Sequence, residues 1–199
     1  KFYRDYLETL MAVDESVERI RQWVKATGLD KNTLIVYMGD NGFLFGEHGL
    51  IDKRNAYEES MRVPMIVWAP GMIKAGSVLP QMILNIDIAP TFLELAGIPK
   101  PVQMQGQSFL PLLKGESIAW RDKIFYEYYW EYDFPQTPTM HGVRTNRYKL
   151  IRYHGIWDTN EFYDLQEDPH EMNNLIASPE HQAKIEELTG EIYDWLEST

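Results

Sequence analysis

The 199-residue sequence predicts an α/β protein, in which part of a parallel-sheet core precedes a small α+β subdomain. Three observations predict this class. An amphipathic helical pattern is followed by a short apolar run, Leu34–Met38, which is typical of a strand buried in a parallel sheet. Near Gly115 the sequence changes to aromatic, alternating segments, which favour an antiparallel sheet with one solvated face. A second helical pattern follows this sheet and completes the predicted subdomain.

Residues 1–114 contain the elements predicted for the core. Apolar side chains recur every three or four residues along one face of the first helix, namely Tyr6, Leu10, Val13, Val17, Ile20 and Val24. Gly28 follows this helix, at a position where a residue in the left-handed conformation commonly ends one. The predicted strands are Leu34–Met38 and Met65–Trp68. Ile88, Phe92 and Leu95 form the apolar face of a further predicted helix.

Residues 115–199 are predicted to form the α+β subdomain. Strands are expected over 124–132, in two segments of 143–153 around a turn that contains Asn146, and over 161–165. The last helix is expected over Pro179–Leu196, with a buried face that consists of Ile185, Leu188, Ile192 and Leu196.

Composition excludes several classes of function. The net charge of -11, without a basic stripe, argues against a nucleic-acid partner. The absence of cysteine excludes disulfides and thiolate metal sites. No apolar run approaches the roughly 20 residues that a membrane-spanning helix needs. Because the sequence begins inside a predicted helix, we expect it to be part of a longer protein.

The end of the first predicted strand is the candidate site. This strand stops at Gly39-Asp40-Asn41-Gly42, and ligands of open α/β sheets bind beyond the carboxyl ends of strands. The loop that leads to the second strand carries four basic or imidazole side chains, His48, Lys53, Arg54 and Arg62. Oxygen ligands and cations on neighbouring segments suit an anionic substrate held beside a metal ion.

Each of these residues also has a purely structural interpretation. Asp-Asn-Gly is a favoured turn sequence, Lys53 fits a solvated surface position, and His48 fits a loop-packing role. Arg62 is expected to pair with Glu58 or Glu59. Residue types and spacing alone leave these alternatives open.

The sequence resembles type I sulfatases of the alkaline phosphatase superfamily. The matched motifs are Gly39-Asp40-Asn41-Gly42, Gly46-Glu47-His48-Gly49, the Lys53 position, Arg62-Val63-Pro64, Ala69-Pro70-Gly71, Asn85 to Thr91, Gly142 to Leu150, and Phe162-Tyr163-Asp164-Leu165 with Asp168-Pro169 and Glu171. These motifs occur in the family's order and cover nearly the whole chain. The nearest likeness is to sulfatases of sulfated sugars, such as N-acetylglucosamine-6-sulfatases.

The resemblance implies a role for each candidate residue. Asp40 and Asn41 would bind Ca²⁺, with Mg²⁺ as the alternative, because asparagine replaces the histidine typical of the superfamily's zinc phosphatases. Lys53 would contact the sulfate and stabilise the departing oxygen. His48 would contact sulfate or substrate, or protonate the leaving alcohol. His141 would bind the sugar and Arg54 would line the pocket. Apart from the resemblance, Trp130, Tyr132 and Trp157 are candidates for stacking on a sugar ring, with the alternative that these aromatic side chains belong to the core.

The family nucleophile, a formylglycine made from Cys or Ser in a Cys/Ser-x-Pro/Ala-x-Arg motif, is absent from this sequence. We therefore expect the chain to be the C-terminal portion of a sulfatase, inactive alone, with the N-terminal half of the same protein and a sulfated glycosaminoglycan- or mucin-type glycan as its partners. The family implies a periplasmic, cell-surface or other exported location. The alternatives are a phosphodiesterase or phosphonate hydrolase of the same superfamily, and a non-catalytic module that binds sulfated glycans.

Overall fold

The computed structural model of the protein describes residues 1–155 and 158–198. Within those residues, the helices are α1 (Phe2–Ala26), α2 (Glu58–Met61), α3 (Ile88–Leu95), α4 (Leu110–Leu113) and α5 (Gln182–Ser198). The strands are β1 (Ile35–Met38), β2 (Leu44–Phe45), β3 (Ile51–Asp52), β4 (Met65–Trp68), β5 (Lys123–Tyr128), β6 (Met140–Thr145), β7 (Tyr148–Tyr153) and β8 (Glu161–Asp164). No helix in this part of the chain combines the length and the apolar character needed to cross a bilayer.

The described chain divides into two compact units. Unit 1 comprises Lys1–Asp40 and Pro64–Ala119, and unit 2 comprises Asn41–Val63 and Trp120–Thr199. The segment between β1 and β4 therefore belongs with the C-terminal part of the chain. The predicted domain boundary after residue 114 stays a prediction for the complete protein.

In unit 1, strands β1 and β4 pair directly and run antiparallel, with Ile35 opposite Trp68 and Met38 opposite Met65. The sequence-based expectation of a parallel arrangement is therefore wrong for this pair. Parallel neighbours require a crossover connection, usually a full helix, whereas the segment from β1 to β4 contains only the single-turn helix α2. The β1 side chains are half-buried, whereas a strand covered on both faces was expected.

Helix α1 forms where the periodicity predicts it and ends at Gly28, which has a φ of 71°. Its apolar face, however, is mostly solvent-exposed: Tyr6 is 40% and Ile20 55% exposed, while Val24 is buried. Amphipathic spacing therefore predicts the helix correctly but does not identify what covers its apolar face.

Unit 2 is built on a four-stranded antiparallel sheet in the order β5-β6-β7-β8, which confirms the predicted strands of the subdomain. The expectation of one solvated face is wrong, because both faces are covered. Helix α5 packs Ile185, Leu188 and Ile192 against one face. The other face packs against residues of the 41–63 segment, namely Leu44, Ala56 and Tyr57. This second layer fixes residues 41–57, called the site loop below, on the four-stranded sheet.

Gly42 lets the site loop lie directly against helix α2. Its N–H donates to the Ser60 carbonyl at 2.8 Å. A Cβ added at this glycine would overlap the carbonyl oxygen of Glu59. We therefore expect Gly42→Ala to lower the free energy of unfolding by about 1–3 kcal/mol, the usual range for overpacking. The measurement is a denaturant titration of the purified variant.

Gly190→Ala is the matched control for this prediction. Gly190 lies within α5, and a Cβ there would meet nothing within 4 Å. Alanine should stabilise the helix by about 1 kcal/mol, since glycine is the poorer helix former. A Gly42→Ala protein as stable as the unaltered one would contradict the close packing described here.

Candidate active site

The turn after β1 presents both predicted metal ligands at the protein surface. Asp40 and Asn41 are consecutive and exposed. The Asn41 amide Nδ2 donates to the Gly42 carbonyl at 2.7 Å, which fixes the orientation of the amide group. In unit 1 the Asp40 carbonyl accepts a hydrogen bond from Asn85 Nδ2 at 2.7 Å, so the strand end is tied to the segment that precedes α3.

A short hairpin brings the predicted catalytic lysine to Asn41. Strands β2 and β3 pair with Leu44 opposite Asp52, and Lys53 follows immediately. The Lys53 Nζ lies 3.5 Å from Asn41 Oδ1, and its side chain is exposed. The structure thus brings a predicted metal ligand and the predicted sulfate-binding cation together.

Arg54 is held by protein groups. Its Nη1 contacts Asp52 Oδ1 at 2.6 Å, and its guanidinium carbon lies 3.2 Å from the centre of the Phe134 ring. Burial alone would raise the pKa of Asp52, but hydrogen bonds from the Lys53 N–H and from Arg54 outweigh burial and lower it. These contacts hold the guanidinium group through other side chains of the protein, and the role of Arg54 in substrate binding stays a prediction.

His48 points into the protein rather than outwards. Its ring stacks on Tyr57 at 3.8 Å with an angle of 5° between the planes. Its Nε2 lies 3.6 Å from Glu59 Oε2, and its side chain is 10% exposed. The observed neighbour of Nε2 is a carboxylate. The predicted contacts of His48 with sulfate or with a leaving group stay predictions.

His141 lies in a separate cleft of about 620 Å³ on unit 2, lined also by Tyr129, Trp130 and His154. His141 Nδ1 lies 2.6 Å from His154 Nε2, so the two rings share one proton in a hydrogen bond. Burial, and then the neighbouring His154, lower the pKa of His141. A neutral imidazole beside exposed aromatic rings suits an uncharged polyol better than an anion. The Trp157 prediction lies outside the described residues.

Sequence reasoning missed a buried ion-pair network beneath the site loop. Lys149, on β7, is 1% exposed, and its Nζ lies 2.9 Å from Glu58 Oε1 and 2.7 Å from Glu171 Oε1. The same Nζ donates to the Ala56 carbonyl at 2.9 Å. A lysine among the apolar residues of a predicted strand was the one available indication of this network.

Glu58 is the centre of the network's negative charge. Arg144 donates to both of its carboxylate oxygens, at 3.1 and 3.2 Å. Burial would raise the pKa of Glu58, but the Arg144 hydrogen bonds and the charge of Lys149 lower it to about 2. The expectation that Glu58 pairs with Arg62 is therefore wrong, because two cations of the sheet take that place.

Comparisons with known proteins identify close relatives of this chain. The family model described as N-sulphoglucosamine sulphohydrolase, C-terminal, matches residues 46–197. An N-acetylglucosamine-6-O-sulfatase from Bacteroides thetaiotaomicron is 43% identical over 192 residues, covering 94% of this chain and 34% of its own length. An N-acetylglucosamine-6-sulfatase from Capra hircus is 33% identical over 207 residues, covering 88% of this chain and 37% of its own length.

A similar solved structure is that of a protein in complex with its substrate D-glucosamine-2-N,6-O-disulfate. It has a TM-score of 0.90 and 40% sequence identity, and the match covers 98% of this chain and 40% of that one. The resemblance to sulfatases is thereby confirmed. The chain spans about a third of the length of the curated relatives it matches.

Proposed function

We propose that the protein containing this chain hydrolyses a sulfate ester of a sugar. The premise is that this chain belongs to the family described as N-sulphoglucosamine sulphohydrolase, C-terminal. The observation that carries the proposal is the placement of Lys53 3.5 Å from Asn41, beside a turn of two consecutive oxygen ligands. The residue types at this turn are those that a hard cation and a sulfate group require.

Asp40 and Asn41 are proposed to hold a calcium ion, with Mg²⁺ as the alternative. The donor set fits, since a carboxylate and an amide oxygen are hard ligands and both side chains are exposed. Calcium takes about six to eight oxygen ligands, so the remaining ones must come from other groups, including water and substrate. When bound, the ion supplies electrophilic stabilisation of sulfate charge.

Lys53 is proposed to act on the leaving group. Hydrolysis breaks the bond between sulfur and the bridging oxygen, and the water oxygen remains on the released sulfate. As that bond breaks, negative charge develops on the bridging oxygen, which then takes a proton to become the sugar hydroxyl. The Lys53 ammonium group would offset this charge through an oriented hydrogen bond. The nucleophile, expected to be a formylglycine, and further metal ligands would be supplied outside this chain.

The substrate is proposed to be a sulfated glucosamine-type sugar. Support comes from the relatives, two of which are named N-acetylglucosamine-6-sulfatases, and from the solved relative that holds a glucosamine disulfate. His141 and the aromatic side chains Tyr129 and Trp130 would contact the uncharged part of the sugar. An exported location, where such glycans occur, is proposed with this substrate.

The test compares ester types with the complete protein. N-acetylglucosamine 6-sulfate, its 6-(methyl phosphate) diester and its 6-methylphosphonate monoester are supplied separately in the presence of calcium, and release of free N-acetylglucosamine is followed. The proposal predicts a larger kcat/KM for the sulfate ester. Faster release from the phosphate diester or the phosphonate would favour a phosphodiesterase or phosphonate hydrolase. Binding of the sulfated sugar without release of sulfate would favour a glycan-binding module.

A further inference from the structure

Three buried side-chain atoms converge behind the site loop of unit 2. Within the described residues, one possible ligand atom from each of His48, Glu59 and Glu171 lies within 4.8 Å of the other two. They come from three separate parts of the chain: the loop before β3, helix α2, and the segment after β8. Only the folded unit brings them together.

These atoms have unsatisfied hydrogen-bonding capacity. His48 Nε2, Glu59 Oε2 and Glu171 Oε1 are three of the seven buried side-chain atoms without a hydrogen-bond partner in the described part of the chain. Glu171 Oε1 has Lys149 Nζ at 2.7 Å as an ion-pair partner, although the contact lacks the angles of a hydrogen bond. The His48 side chain is nine-tenths buried and directs Nε2 at Glu59 Oε2 across 3.6 Å. Buried polar atoms normally have a hydrogen-bond or metal partner, because burying a polar atom without a partner costs free energy.

The charges around the cluster leave room for a cation. Three carboxylates, those of Glu58, Glu59 and Glu171, are neighboured by two basic side chains, Arg144 and Lys149. Counted by formal charges, with His48 taken as uncharged, this set carries one net negative charge. Glu58 takes both hydrogen bonds from Arg144, and Lys149 is shared between Glu58 and Glu171. The Glu59 carboxylate, in contrast, faces His48.

Backbone conformation singles out the same residues. Among the described non-glycine residues, those with positive φ are His48 and Glu171, each at 53°. A non-glycine residue in the left-handed region costs on the order of 1–3 kcal/mol and is concentrated at functional sites. Stacking on Tyr57 also fixes the His48 ring plane, so the direction of Nε2 is set before any ligand arrives.

We propose that His48, Glu59 and Glu171 form a second metal site, which takes Zn²⁺ or a similar transition-metal dication. An imidazole nitrogen with two carboxylate oxygens favours zinc over calcium, which prefers oxygen ligands alone. Two ligands of a tetrahedral zinc ion at about 2.0–2.1 Å lie roughly 3.3 Å apart, close to the observed 3.6 Å. Glu171 Oε1 has two lone pairs, so it can bind the metal and keep its Lys149 contact. The ion would cross-link the loop before β3, helix α2 and the segment after β8.

The experiment titrates the complete protein with Zn²⁺ alone, after removal of metals by a chelator and in saturating calcium. We expect one zinc ion more per chain in the unaltered protein than in Glu59→Gln, whose zinc affinity should fall at least about 100-fold, since even loss of an outer-shell partner costs about 10- to 100-fold. Glu167→Gln, an exposed glutamate on the segment before Glu171, is the matched control and should bind zinc normally. Cobalt substitution supplies an independent readout, because the visible absorption of Co²⁺ is strong in a tetrahedral site and weak in an octahedral one, and should be lost in Glu59→Gln.

Two results would overturn the site. One is equal zinc affinity in Glu59→Gln and Glu167→Gln. The other is no zinc binding in the unaltered protein, which would leave the direct contact of His48 with Glu59 as the complete arrangement. If Glu59→Gln fails to fold, His48→Gln replaces it in the same comparison. Asp40→Ala separates this inference from the proposed calcium site, because it should leave zinc binding unchanged.

Discussion

Replacing Lys149 with methionine is expected to lower the free energy of unfolding by about 3–5 kcal/mol, the usual cost of removing one partner from a buried ion pair. Methionine keeps the length and apolar contacts of the lysine stem but removes the ammonium group. The Lys149 side chain is 1% exposed, and the Glu171 side chain beside it is 0% exposed. The variant therefore leaves the Glu171 carboxylate buried without its cation, and Glu58 with Arg144 alone. Denaturant titration of the purified variant measures the loss.

Two further variants decide whether charge is the cause. Lys184→Met removes a lysine of the exposed pair with Glu187 and should cost less than about 0.5 kcal/mol. Lys149→Met combined with Glu171→Gln should recover part of the lost stability, because the unpaired charge is then absent. Equal losses in Lys149→Met and Lys184→Met would contradict the buried network.

Replacing Lys53 with alanine is expected to lower kcat for sulfate release by the complete protein about 10²- to 10³-fold, the range for removing one donor that stabilises developing negative charge. The fold should be unaffected, since the Lys53 side chain is exposed and its nearest polar contact is Asn41 Oδ1 at 3.5 Å. Because the proposed interaction strengthens as the S–O bond breaks, kcat should fall more than KM rises. Steady-state kinetics with a sugar 6-sulfate supply both constants.

Lys31→Ala, an exposed lysine of unit 1, is the control for this loss and should keep normal turnover. A Lys53→Ala enzyme with unchanged kcat and a raised KM would show that Lys53 binds the substrate without stabilising the transition state. That result would contradict the proposed action on the leaving oxygen.

Local patterns were sufficient to predict helices α1, α3 and α5 and strands β1 and β4 to β8, whereas the short elements β2, β3, α2 and α4 were not predicted. The strands β6 and β7 could be predicted because alternation and a turn lie within one short segment, Met140–Tyr153. The direction of β1 relative to β4 could not, because it depends on whether the intervening segment crosses over the sheet. The second covered face of the sheet was missed for a related reason: nothing local indicates that a distant loop packs there.

Within the candidate site, too, some contacts could be predicted from the sequence and others could not. The proximity of Lys53 to Asn41 could be predicted because the two residues lie 12 positions apart, at a strand end and a hairpin, and their roles stay predictions. Glu171 could not be linked to helix α2, because its carboxylate accepts the Glu58 N–H from 113 positions away. The inward direction of His48 was also unpredictable, since it depends on a left-handed backbone and on the ring of Tyr57.

Calcium binding by the complete protein tests the central claim, a cation site at the end of β1, most directly. Isothermal titration compares the unaltered protein with Asp40→Ala and with Asp14→Ala, an exposed aspartate of α1. The account predicts that Asp40→Ala alone weakens calcium binding, by about 100-fold or more, because a charged ligand is lost. Calcium affinity that is the same in all three proteins would contradict it.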